Sequence, residues 1–260
     1  MASDDVARRL DEVRWSTEGL LDALRERPPT DSWARQSSLL PGWTRGHVLS
    51  HLARNAEAME RTLSGTARGE KIPMYDSEDA RAADIQAGAG RPAAELAADV
   101  VETVGRLERT WSTLDDTDWR HDAVTREGPV PAIRLIGMRW REVEIHHVDL
   151  ADGYGPGDWP ASFVAPLLPS LLDPRRIGPR LPSGLTVEVV NTDSGQRWLV
   201  GEDVPAAAGT ARSARAAAVR SAAPPVRVVG PSWALVSWLI GRPAAVRAEL
   251  GELPALRPWS

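Results

Sequence analysis

The chain has 260 residues, 42% of them hydrophobic, a formal charge of −5 and no cysteine. That length suits two domains better than one core. The charge, with no basic cluster, argues against nucleic acid as the main partner, and the lack of cysteine excludes disulfides, thiolate ligands and a protein thiol nucleophile. Any thiol chemistry therefore needs a thiol brought in as cosubstrate. No apolar run approaches a membrane span, and MASDDVARRL is acidic and amphipathic, unlike a signal sequence. A cytoplasmic location without a membrane partner is the expectation.

Val6, Leu10, Val13, Leu20, Leu21 and Leu24 form one apolar stripe and predict a helix from Ser3 to Arg27. Ser3, ahead of Asp4 and Asp5, is its capping candidate, and Pro28 and Pro29 end it. The linker that follows carries Pro41, Gly42 and Trp43, a turn anchored by a buried ring. Thr44 is the N-cap candidate of a second helix, which runs to Leu63. Residues 66–90 form a long connection with a short acidic helix near Ser77–Gln86, and connections of this length are often functional. Leu96, Val100, Val104, Leu107 and Trp111 mark a third long helix from Pro92 to Leu114. TDWRHDAV, with His121, reads as a loop, and residues 128–134 lead into a fourth helix.

That fourth helix holds MRWREVEIHHVDL, Met138 to Leu150. Four long amphipathic segments predict a four-helix bundle, and bundles build metal sites from inward side chains on facing helices. Glu142 and His146 lie four residues apart, so both heads can reach a common point. Such a pair is either two-thirds of a three-ligand metal site or a plain helix-surface pair. A third ligand would come from His47 or His51, themselves an i, i+4 pair. His51, among Val48, Leu52 and Asn55, has the more inward setting.

Gly153–Trp159 (GYGPGDW) marks a boundary between domains at 1–155 and 156–260. In the second domain Ser162–Leu172 reads as helix, Leu185–Val190 and Arg197–Val200 as strands joined by a hairpin at Asn191–Gly195, and Val226–Val229 as a further strand. Ser232–Ile240 is a helix capped by Gly241, and residues 203–222 are Ala/Arg-rich and of low complexity. The fold class expected is an α bundle followed by a smaller α/β domain. The eleven tryptophans are expected to fill large core positions or, for several of them, to line a ligand cleft.

LLPGWTRGHVLSHLARNAEAM, IPMYDSEDAR and MRWREVEIHHVDL, in this order and spacing, resemble the mycothiol-dependent maleylpyruvate isomerase family, whose N-terminal domain is a DinB-like metal-binding bundle. The resemblance runs over nearly the whole chain and includes Gly241-Arg242. It implies zinc held by His51, Glu142 and His146; His147, a departure from the family pattern, points about 100° away around the helix and is read as non-ligating. It also implies a catalytic role for Arg242, whose plainer reading is a cation at a helix C-terminus. Tyr75 either faces the substrate or packs the loop; Asn55 is a candidate contact for substrate or thiol; Asp149 either orients His146 or is a solvated carboxylate.

The implied reaction is conversion of maleylpyruvate to fumarylpyruvate by reversible addition of the mycothiol thiolate. The alternative is a mycothiol S-transferase on the same scaffold. Small molecule and thiol are the expected partners of a monomer. Lys71 is the only lysine; arginine in its place, with abundant Ala, Gly and Pro, points to a GC-rich genome and fits an actinobacterial source.

Overall fold

The structure, a computed structural model, describes residues 2–201, 224–249 and 252–258. It divides into two compact units, Met1–Tyr154 and Gly155–Ser260.

In the first unit four long helices pack together: α1 (Ala2–Glu26), α3 (Arg45–Ala67), α5 (Ala93–Thr113) and α6 (Arg134–Asp149). Their stripes meet in one core that includes Leu20, Leu24, Leu49, Leu52, Leu96, Val100 and Val143. The apolar residues predicted for the first and third helices are all buried. Helix α1 already begins at Ala2, so Ser3 lies inside its first turn instead of ahead of it. Thr44 caps α3 as expected: its side chain accepts from the His47 N–H, and the His47 ring accepts in return from the Thr44 N–H.

Two short elements depart from the sequence expectation. The first linker contains a single turn of helix, α2 (Asp31–Ala34), too brief for apolar periodicity to register. The segment read as a loop around His121 is a hairpin, β1 (Asp122–Thr125) with β2 (Gly128–Pro131), paired antiparallel with Val124 opposite Pro129. Two prolines in four residues of β2 disguise it, since proline is tolerated only in edge strands of this kind. Trp43 is half-buried, packed against the core without being enclosed by it. Trp111, Trp119 and Trp140 are buried, whereas Trp15 is 67% exposed.

Helix α4 (Glu78–Ala89), capped by Ser77, lies flush on α3 because glycine permits it. A Cβ on Gly46 would stand 2.5 Å from the Ala89 carbonyl, and one on Gly88 only 2.2 Å from Ser50 Oγ. Ser50 Oγ donates to the Ile85 carbonyl across this seam.

The second unit carries helices α7 (Ala161–Leu171) and α8 (Pro174–Ile177), then β3 (Thr186–Asn191) and β4 (Arg197–Gly201), then β5 (Val226–Gly230), α9 (Ser232–Leu239) and β6 (Arg247–Ala248). Its sheet has the order β4-β3-β5-β6. Strand β3 is antiparallel to β4, with Val189 opposite Trp198, and parallel to β5, with Val189 opposite Val228. Gly241 takes the left-handed conformation, φ +75°, that ends α9. The Ala/Arg-rich 203–222 segment lies outside the described residues. Among those described, no helix is long and apolar enough to cross a membrane.

Candidate metal centre

Helices α3 and α6 bring three side chains to one point. His51 Nε2 lies 2.8 Å from Glu142 Oε2 and 3.1 Å from His146 Nε2, and His146 Nε2 lies 3.3 Å from the same carboxylate oxygen. All three ligand atoms fall within 4.8 Å of one another. Two ligands of a tetrahedral zinc at ordinary bond lengths stand about 3.3 Å apart, so the spacing fits. The donor set fits as well. Three lone-pair-bearing atoms face inward with too few protons to join every pair, and a cation satisfies all of them at once. Two nitrogens and one oxygen suit zinc and several other divalent ions.

The α6 residues Arg139, Glu142, His146 and Asp149 are spaced three, four and three apart, which puts them on one helix face. Asp149, fully buried, is 2.8 Å from His146 Nδ1. The carboxylate accepts a hydrogen bond from Nδ1–H, which leaves Nε2 to face Glu142 and His51. The C-terminal end of α6 is pinned, with the Leu39 N–H donating to the Asp149 carbonyl and Arg45 Nη2 to that of Ala151. His51 is 3% exposed, and the Trp43 ring meets it edge-on at 5.7 Å.

Burial, then the neighbouring His146, pushes the His51 imidazole down to about 4. Burial alone would raise the Glu142 carboxyl, but its hydrogen bonds to His146 and His51 outweigh that and hold it well below the usual carboxylate range. His146 shows the reverse balance: burial lowers it, and bonds to Asp149 and Glu142 raise it further. The site thus keeps an ionised carboxylate and a neutral His51 near neutral pH, two of the three states a metal requires, while a metal must displace the proton that His146 holds below its raised value.

Other histidines are spent elsewhere. His47 is in the α3 cap, with Nε2 3.2 Å from Gln86; His147 stacks on Tyr154 with ring centroids 3.9 Å apart; His121 is exposed beside Asp118. Asn55 is buried, and its Oδ1 accepts from Arg139 Nη1 at 2.8 Å. Tyr75 is half-buried, and burial raises its hydroxyl above the ordinary tyrosine value. Arg242, in the second unit, follows Gly241 and donates from Nη1 to the Ile240 carbonyl.

Two arginines near the centre were missed. Arg139, 1% exposed, also donates to the Leu52 carbonyl, while its buried Nη2 meets no partner among the described residues. Burial lowers its guanidinium to about 10. Its spacing from Glu142 was the available signal. Arg81 on α4 lies 3.4 Å, through Nη2, from His51 Nδ1 and 5.7 Å from the Tyr75 ring centroid. Only its place at the end of IPMYDSEDAR hinted at it.

Residues 3–151 match the family model described as the mycothiol maleylpyruvate isomerase N-terminal domain. No curated protein matches the chain. Among solved structures, the crystal structure of the mycothiol-dependent maleylpyruvate isomerase is similar at TM-score 0.81 and 26% identity, over 98% of this chain and 97% of that one. A histidine-to-alanine variant of that isomerase is similar at TM-score 0.82, with the same identity and coverage.

Proposed function

Because the chain belongs to the mycothiol maleylpyruvate isomerase N-terminal domain family, we propose that it converts maleylpyruvate to fumarylpyruvate with mycothiol as thiol cofactor and zinc at His51, Glu142 and His146. The observation that carries this is the convergence of three donor atoms, from His51, Glu142 and His146, with no fourth His or acidic ligand in the group among the described residues. A three-ligand centre leaves a coordination position for a ligand from solution, whereas structural zinc is usually closed by four protein ligands.

Zinc there would keep a bound thiol deprotonated at neutral pH, supplying the nucleophile that reversible addition to the cis double bond requires. The chain's own residues do the rest. Asp149 fixes the His146 tautomer, Glu142 brings the negative charge, and Trp43 closes one side of His51 against water. In this reading residues 1–155 hold the metal, and Arg242 is the catalytic arginine that the family resemblance implies. Tyr75 and Asn55 are the proposed contacts to substrate or thiol.

The test follows maleylpyruvate in a spectroscopic assay of zinc-loaded protein, with and without mycothiol, beside a His51→Ala variant. Mycothiol-dependent fumarylpyruvate that disappears in the variant supports the proposal. Consumption of mycothiol by a model electrophile, with maleylpyruvate untouched, would make the protein an S-transferase and refute it.

A further inference from the structure

The functional proposal leaves open what recognises the charge of the substrate in the first unit, and Arg81 answers by position. It reaches the metal centre from α4, one imidazole ring away from the converging Nε2 atoms. It also lines, with Tyr75, the pocket that opens over Arg54, Arg61 and Asp76.

The other two arginines of that pocket are neutralised by carboxylates: Arg54 by Glu57 and Asp99, and Arg61 by Asp76 at 2.6 Å. Arg81 has a weaker claim on its own carboxylate. Glu78 lies 3.1 Å from it, is half-exposed, and is held more closely by Arg126 at 2.6 Å.

The contact of Arg81 with His51 cannot outlast metal loading. A neutral imidazole that ligates through Nε2 carries its proton on Nδ1, and a guanidinium cannot donate to an N–H. Arg81 then needs another acceptor. Tyr75 lines the same pocket, its ring centroid 5.7 Å from the Arg81 guanidinium carbon. Its phenolic O–H is a second donor beside the guanidinium.

Charge agrees. Around the trio stand Glu142 and Asp149 against Arg81 and Arg139, which cancel. A divalent cation then leaves the centre positive, the sign a dicarboxylate requires.

We infer that Arg81 and Tyr75 form the carboxylate clamp of this centre, with guanidinium and phenolic O–H holding one carboxylate of a short dicarboxylate whose other end lies over the trio. The inference rests on the proposed reading of the trio as a metal site, and makes Arg81 a specificity-determining residue.

The test needs no turnover. Maleate, and its monomethyl ester as control, are titrated calorimetrically into the zinc-loaded full chain without thiol, and zinc content is measured for each protein. Wild type should bind maleate more tightly than the ester. Arg81→Ala should weaken maleate roughly ten- to a hundredfold, the worth of a charge-assisted bond, bring maleate and ester together, and leave zinc content unchanged. Arg81→Lys, which keeps the charge without the fork, should fall between them. Wild type that binds no maleate, equal maleate affinity in Arg81→Ala, or loss of zinc in that variant would overturn the inference. An isomerase with unaltered maleate binding in the variant sinks the clamp alone; a protein that passes the maleate test and isomerises nothing sinks the functional proposal alone.

Discussion

Asp149 holds His146: its carboxylate, wholly buried, sits 2.8 Å from Nδ1 and so determines which nitrogen faces Glu142 and His51. The orientation of a candidate ligand is thus set by a group that does not itself join the trio. Asp149→Asn should lower zinc affinity roughly ten- to a hundredfold. Competition against a chromophoric chelator reads this directly, and an affinity equal to wild type would assign Asp149 to packing alone.

Removal of the metal should be felt as lost stability, because the trio joins α3 to α6 and the unfolded chain has no such site. Zinc at about a hundred times its Kd should add about 2.7 kcal/mol. Chelation should lower Tm in wild type and leave Tm unmoved in Glu142→Gln. Scanning calorimetry with and without zinc makes the comparison.

The two imidazoles predict a pH profile for the metal-free protein. His51, lowered from 6.5 to about 4, is neutral in the fold while the unfolded chain takes up a proton, so its contribution is lost as pH falls from 6.5 toward 4. His146, raised above 6.5, contributes fully below 6.5 and loses that contribution as pH rises through its higher value. Together they place their greatest stabilisation near pH 6.5. Zinc must displace the His146 proton, so its affinity falls as pH drops through the raised value. Urea titrations across this range, compared with His146→Ala, isolate the alkaline limb; the variant should lack it.

Gly88 lies where α4 meets α3, and a Cβ there would stand 2.2 Å from Ser50 Oγ. Gly88→Ala should cost about 1–3 kcal/mol by overpacking. It should also spread α4 from α3 and draw Arg81 off His51. Denaturant unfolding measures the cost. The double variant Gly88→Ala/Ser50→Ala should recover most of it, because the colliding hydroxyl is then gone.

The long helices were legible because apolar periodicity is local. Val6 to Leu24 and Leu96 to Trp111 repeat at helical spacing over many turns, and the same stripes are buried. The hairpin at β1 and β2 was not legible, because four-residue strands with Pro129 and Pro131 carry no alternation to read. Helix α2 was lost for the same want of length.

By itself the sequence determined the four amphipathic helices, the Thr44 cap and the Glu142/His146 spacing, all of which depend on residues within a turn or two of one another. Residues alone favoured His51 over His47 only by environment, and the family resemblance made that choice. What the tertiary structure decided is distance in space between residues far apart in the chain. It brings His51 to within 2.8 Å of a carboxylate 91 residues away. It lays α4 on α3 through Gly46 and Gly88 and so delivers Arg81 to the His51 ring. Helix-to-helix register follows from how side chains pack, glycine by glycine, and no local period encodes it.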